Sequence, residues 1–159
     1  MRLIPPLSTP GAWPVDAPCP IEATIRVIGS RPAMILLREA AYGVTRFDDF
    51  TTRTGLSGAT VATRLAELTD AGVLERQPYR APGARSRDEY VLTEAGHELL
   101  PIIVGLFTWG MRHAGPSASL SLTHTECAAD VHAEVRCASG HPVALDDLTL
   151  TQTEPTART

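Results

Sequence analysis

The stretch Ser57-Gly-Ala-Thr-Val-Ala-Thr-Arg-Leu-Ala-Glu-Leu-Thr-Asp-Ala-Gly72 holds both ends and the apolar face of a single helix. Ser57 offers a side-chain oxygen to the free backbone N–H groups of the first turn. Gly72 accepts the left-handed conformation that ends a helix. Val61, Leu65 and Leu68 recur at i, i+4 and i+7, so one face is apolar. Thr60, Thr63, Arg64 and Glu67 occupy the opposite face. The first turn, Gly58-Ala59-Thr60, is small and uncharged, which allows close approach to another surface.

Downstream, Val73-Leu-Glu-Arg-Gln-Pro-Tyr79 and Asp88-Glu-Tyr-Val-Leu92 flank a basic turn and predict a β-hairpin. Arg76, Arg80, Arg85 and Arg87 form a run of positive charge uninterrupted by acids. Upstream, Thr45-Arg-Phe-Asp48 has the spacing of a capping box and predicts a short helix burying Phe47 and Phe50. Gly55-Leu56 then makes the tight turn into the Ser57 helix, completing a helix-turn-helix. A polar helix face beside an arginine-tipped hairpin suits a groove of double-stranded DNA and its flanking phosphates. The expected contacts are Ser57, Thr60, Thr63 and Arg64 on the helix, Arg80, Arg85 and Arg87 on the hairpin, and Arg46 ahead of the short helix. For Arg64 two readings stand: a DNA contact, or an ion pair with Glu67 on a solvated face. Arg87 either meets DNA or braces the wing.

The remaining chain surrounds this unit. Residues 1–18 contain five prolines and predict an extended arm. Cys19-Pro20 opens a helix with Ile21, Ile25 and Ile28 in a stripe that ends near Gly29. Ser30 caps a second helix, whose Met34, Ile35, Leu36 and Leu37 are expected in the core and which Gly43 ends. After the hairpin, Thr93 caps one long helix to about Arg112. Its Leu99, Leu100, Ile102, Ile103, Leu106, Phe107 and Trp109 are too many for one packing stripe, so a second subunit is the expected cover. Residues 114–122 read as a linker. Over 123–150, Val131, Ala133, Val135 and Cys137 alternate with polar residues, and Ser139-Gly140 interrupts them before Val143 and Leu145, a β-hairpin pattern. Residues 151–159 are polar and read as a disordered tail. The expected fold is therefore mainly α with small β: a winged helix-turn-helix domain over 19–113, a long dimerisation helix and a C-terminal β-hairpin extension.

Composition sets the outer bounds. The chain of 159 residues, 43% hydrophobic and 20% charged, has room for one domain with a substantial core plus tails. The net charge of −4 is unevenly spread: 19–113 holds 11 Arg and 11 acids, whereas the residues after 113 hold 2 Arg and 6 acids. Local arginine clustering matters more for docking on phosphates than the total does. No apolar run spans a bilayer and no secretory signal is evident, so a cytoplasmic location without membrane contact is expected. Neither a phosphate loop, a zinc-protease motif, a nucleophile elbow nor a carboxylate pair is evident, and no enzyme activity or cofactor is expected.

Cys19-Pro-Ile-Glu22, Val27-Ile-Gly29, Ile35-Leu-Leu-Arg-Glu39, Arg46-Phe47-x-x-Phe50, Arg64-Leu-x-x-Leu68, Ala71-Gly72, Arg87-x-Glu-Tyr90, Leu92-Thr93 and Gly96-x-x-Leu99 together resemble HxlR-type bacterial transcriptional regulators. The resemblance covers about 19–113. It implies a homodimer of winged helices on a two-fold symmetric operator, a repressor more than an activator. Dimerisation would use the first helix and the helix after the wing, at Ile21, Ile25, Ile103, Leu106 and Phe107. Two departures stand out. Arg31-Pro32 replaces the family's Lys-Trp, and Ser57-Gly58-Ala59 replaces its Ser-Pro-Lys, which moves attention to Thr60, Thr63 and Arg64. The alternative is a winged helix used for protein contacts without specific DNA binding.

Cys19 also has two readings: a buried packing residue, or a thiol sensor at the positive end of a helix. The resemblance implies the second, because several such regulators sense electrophiles or oxidants through a cysteine there. A small ligand between the first helix and the helix after the wing is the other form of control. In the tail, the spacing Cys127-x9-Cys137-x3-His141 fits no strong zinc pattern, and a degenerate ribbon without metal is expected.

Overall fold

A computed structural model describes residues 1–11, 19–79, 87–115 and 120–152. The chain falls into two compact units, Cys19–Ala133 and Met1–Pro18 with Glu134–Thr159. The division therefore runs through the stretch 123–150, at Ala133.

In the smaller unit, β1 (Arg2–Leu3) pairs in parallel with residues near the other end of the chain, described below. The larger unit begins with α1 (Pro20–Ile28) and α2 (Arg31–Ala41). Ser30 Oγ accepts the Ala33 N–H at 3.2 Å and caps α2 as its sequence predicts. Within α2, Ala33, Leu36, Leu37 and Ala40 are buried and Met34 packs against the core. Ile35, expected inside, lies off that face and is only half-buried.

α3 (Phe47–Thr54) and α4 (Gly58–Asp70) follow, joined through Gly55 at φ +66°. That left-handed turn is what a residue without Cβ permits at low cost. Phe50, Val61 and Leu65 are fully buried, and Leu68 nearly so, against Leu36 and Leu37. The capping box expected at Thr45 does not form. Thr45 Oγ1 instead bonds Glu89 Oε2 at 3.2 Å, and α3 begins after Arg46 with no side-chain cap. A long-range carboxylate has taken the hydroxyl that local spacing assigned to the helix.

β2 (Leu74–Tyr79) and β3 (Arg87–Leu92) form the antiparallel wing, with Leu74 opposite Leu92 and Tyr79 opposite Arg87. Thr45 and Arg46 lie along β3: the Tyr90 N–H donates to Thr45 O at 2.8 Å, and Arg46 bridges Glu89. The segment before α3 thus pairs with the base of the wing.

The single helix expected over 93–112 is two. Thr93 Oγ1 accepts the Gly96 N–H at 3.1 Å and caps α5 (Glu94–His97), and α6 (Leu100–His113) starts afresh. Pro101 has no N–H to give and its ring crowds the carbonyl four residues back, at His97, so the helix breaks there. No residue of α6 is fully buried, although Leu99, just before it, and Ile103 pack against the core. Farther on, Val131 N–H donates to Leu122 O at 2.8 Å and His124 N–H to Ala129 O at 2.9 Å, a tight fold-back with one bridge, Thr123 to Asp130.

In the smaller unit, Val143 N–H reaches Val135 O at 2.9 Å and Cys137 N–H reaches His141 O at 3.0 Å around Gly140. A 3-10 turn (Leu145–Asp147) leads to β4 (Thr149–Leu150), which is the parallel partner of β1. The hairpin expected over 123–150 is thus two separate fold-backs, each with one bridge, because Val131 turns back to Leu122 instead of running on with Val135. The parallel β1–β4 pair joins segments read from sequence as separate, the N-terminal arm and the tail. The fold is mainly α with small β, a winged helix-turn-helix.

Candidate nucleic-acid interface

The outer face of α4 is organised from its first turn. Ser57 Oγ accepts the Thr60 N–H at 3.2 Å and lies 2.8 Å from Thr60 Oγ1, so the cap also orients the threonine hydroxyl. Burial of Val61, Leu65 and Leu68 on one side leaves Ala59, Thr60, Thr63 and Arg64 around a shallow open hollow on the other. Arg64 Nη1 is paired with Glu67 Oε2 one turn along. The pairing that sequence offered as an alternative is present, and Arg64 remains beside the hollow.

The wing is anchored to the helix-turn-helix by two arginines. The Arg46 guanidinium stands 4.4 Å from the centre of the Tyr79 ring, and its Nη2 donates to Tyr79 Oη at 2.6 Å. Arg87 Nη1 donates to Asp48 Oδ2 at 2.9 Å, joining the first residue of β3 to the first turn of α3. Arg76 is paired with Asp88 across the hairpin. Arg80 and Arg85 lie outside the described residues. Asp88 and Glu89 adjoin Arg87 in sequence, but Asp88 pairs with Arg76 and Glu89 bonds Thr45, which leaves Arg87 to Asp48. Tyr79 was not singled out, and Asp48 was read only as the acid of a capping box. Their only sequence signal is the two-residue alternation of β2 and the polar first turn of α3.

Cys19 is the N-cap of α1, half-buried, and its side chain makes no capping bond. Ile21 and Ile25, on the same helix, are exposed, as are Ile102, Leu106 and Trp109 on α6. Ile103 packs against the chain's own core and Phe107 is half-buried. In the tail, His124 Nδ1 lies 3.3 Å from Cys127 Sγ and Cys137 Sγ lies 3.6 Å from His141 Nδ1, two separate pairs. Among the described residues no group of three or more His, Cys, Asp or Glu side chains is placed to hold a metal ion. Nor is any described helix long and apolar enough to cross a membrane.

The helix-turn-helix and wing coincide with a family pattern: residues 27–118 match the model of the HxlR-like helix-turn-helix. The chain belongs to that family. An uncharacterised HTH-type transcriptional regulator of Mycobacterium tuberculosis is 36% identical over 125 residues, which cover 76% of this chain and 75% of the relative. The regulator YdeP of Bacillus subtilis is 32% identical over 96 residues, covering 60% and 73%. Among solved structures, the candidate transcription factor PA1607 superposes with a TM-score of 0.76 at 30% identity, covering 87% of this chain and 97% of that one. The redox regulator HypR in its reduced form gives 0.54 at 30% identity, covering 59% and 92%. Like the other HxlR-like proteins, this chain is a helix-turn-helix transcriptional regulator.

Proposed function

We propose that this HxlR-like protein represses transcription in the cytoplasm as a homodimer, each α4 entering the major groove of one half of a two-fold symmetric operator. The observation that carries the reading is the face of α4. Thr60, Thr63 and Arg64 border an open hollow, with Ser57 holding the first turn. Thr60, Thr63 and Arg64 supply the base contacts. Arg46, Arg80, Arg85 and Arg87 meet the phosphates, and Ser57 lies at the backbone where α4 enters. Repression follows from competition for promoter DNA, and the role is non-catalytic.

Dimerisation is supported by α1 and α6, which keep Ile21, Ile25, Ile102, Leu106 and Trp109 exposed on helices otherwise built to be covered. Half-sites would then lie about one helical turn, ~34–36 Å, or a multiple apart. Control by a thiol-reactive signal at Cys19 is supported by its place at the start of α1 and by the similarity to a protein named as a redox regulator. The test is a mobility-shift titration on the DNA flanking the protein's own gene, with Arg64→Ala beside the wild type. A lost bidentate base contact costs ~1–3 kcal/mol of discrimination, so Arg64→Ala weakens binding to that fragment more than to mixed-sequence DNA. A protein that binds neither acts instead as a winged-helix module for protein contacts.

A further inference from the structure

Three of the described arginines of this surface are paired with acids. Arg64 faces Glu67, Arg76 faces Asp88, and Arg87 faces Asp48. The Arg87–Asp48 pair differs from the other two in position. It joins the wing to a helix, from residues 39 apart, and both side chains are about three-quarters exposed, 73% and 75%. Asp48 lies in the first turn of α3, the end of a helix where unsatisfied N–H groups and the dipole ordinarily favour a phosphate. A carboxylate of the protein therefore holds the cation that a DNA phosphate would use.

We propose that Asp48 competes with DNA phosphate for Arg87 and so holds down the phosphate-carried, sequence-independent part of DNA binding. The proposal rests on the DNA-binding reading above. Exposed ion pairs are weak, so Arg87 exchanges partners readily. The exchange is still not neutral. Once Arg87 turns to a phosphate, Asp48 is left without its cation beside an anion. The freed Asp48 also takes up a cation, so fewer ions are released in net per phosphate contact. Both effects act on the sequence-independent part of binding, which is carried by phosphates. Base contacts from α4 are untouched, because Thr60, Thr63 and Arg64 make no bond to Asp48. The operator complex and a mixed-sequence complex therefore lose the same amount of binding free energy. Their ratio is unchanged, while the affinity for any DNA is held down.

The test uses the full chain, titrated across salt against a mixed-sequence duplex and the fragment flanking its own gene. Four variants are compared: Asp48→Asn, Asp49→Asn, Arg87→Ala and the Asp48→Asn/Arg87→Ala double substitution. Asp49→Asn removes the same charge from the same turn, where no ion pair is made among the described residues. Asp48→Asn is expected to tighten mixed-sequence binding by roughly 3- to 10-fold per dimer and to steepen its salt slope by up to ~0.9 per subunit. Binding to the gene-flanking fragment tightens by a similar factor, and Asp49→Asn shows a smaller gain on both. With Arg87→Ala in place, the excess gain of Asp48→Asn over Asp49→Asn disappears. If Asp48→Asn leaves mixed-sequence binding unchanged, or gains as much without Arg87, competition for Arg87 is overturned while the DNA-binding reading stands. If the folded wild type binds neither duplex at low salt, the DNA-binding reading itself fails and this proposal falls with it.

Discussion

Arg53 Nε donates to Glu39 Oε2 at 2.6 Å, tying the last turn of α3 to the buried side of α2. Glu39 is 2% exposed, and its other oxygen takes the Arg38 Nη2 donor at 2.5 Å. Burial pushes the Glu39 carboxyl up. The hydrogen bonds from Arg53 and Arg38, with their charges, outweigh it and hold the group below the usual carboxylate range. Because α3 is the first helix of the helix-turn-helix, this carboxylate sets how α4 and the wing are presented.

Glu39→Gln should therefore destabilise the domain by roughly 1–3 kcal/mol, the range for a buried hydrogen-bonded group that loses its match. The pH dependence has a definite sign. With the folded pKa below the unfolded one, the stabilisation is complete above the unfolded value, about 4.3, and is lost as pH falls through the folded value. Urea unfolding at pH 7, 4 and 3 checks this. The gap between wild type and Glu39→Gln should be widest at pH 7 and close in acid.

A second prediction concerns the junction between wing and α5. A Cβ on Gly96 would stand 2.2 Å from the Val73 carbonyl oxygen and 2.9 Å from Leu92 Cδ2. Thr93 Oγ1, which caps α5, also donates to Gly72 O at 2.5 Å, so backbone on both sides is held in place. Gly96→Ala should cost about 1–3 kcal/mol, the usual penalty for overpacking, or more because the obstacle is backbone. Thermal melting followed by circular dichroism gives the value. An unchanged melting temperature would mean that the α5 junction yields easily.

Dimerisation can be separated from folding. Leu106 is 50% exposed and Ile25 58%, so a charge at either has water to reach within a single subunit. Leu106→Glu or Ile25→Glu should give a helical monomer by light scattering, with much weakened operator binding. Phe50→Ala, at a fully buried site, should instead lose ~3–5 kcal/mol of stability. Retention of a tight dimer by both charged variants would remove these two faces from the proposed interface.

Control through Cys19 is tested by Cys19→Ser beside a Cys127→Ser/Cys137→Ser double variant. Treatment with diamide or a quinone should release wild type and the double variant from DNA and leave Cys19→Ser bound. An adduct at the start of α1 would tilt one subunit against the other, and two recognition helices must match one groove spacing. Release of Cys19→Ser on treatment would make a reversible small ligand the better account of control, with Cys19 as packing.

Much of the helix-turn-helix was legible because its signals are local. A cap acts over three residues, as at Ser30, Ser57 and Thr93. A helix face repeats within seven, as Val61, Leu65 and Leu68 do, all buried. A left-handed turn needs only its glycine, as at Gly55 and Gly72. These interactions depend on spacing along the chain, and spacing is what a sequence states. The break at Pro101 is equally local: a proline divides what the apolar pattern presents as one helix.

The partners of the charged and polar side chains were another matter. Thr45 looked like a cap until Glu89, 44 residues away, came within 3.2 Å of it. Arg87 had acids as its immediate neighbours and took Asp48 instead, because strand pleating and the register opposite Tyr79 gave Asp88 to Arg76. Glu39 is a plain charged residue on a helix until α3 delivers Arg53 to it. Arg2 and Leu3 acquire strand partners only from Thr149 and Leu150, near the opposite end of the chain. An arginine can satisfy any nearby carboxylate, so composition leaves its partner open, and only the docking of one element on another selects it.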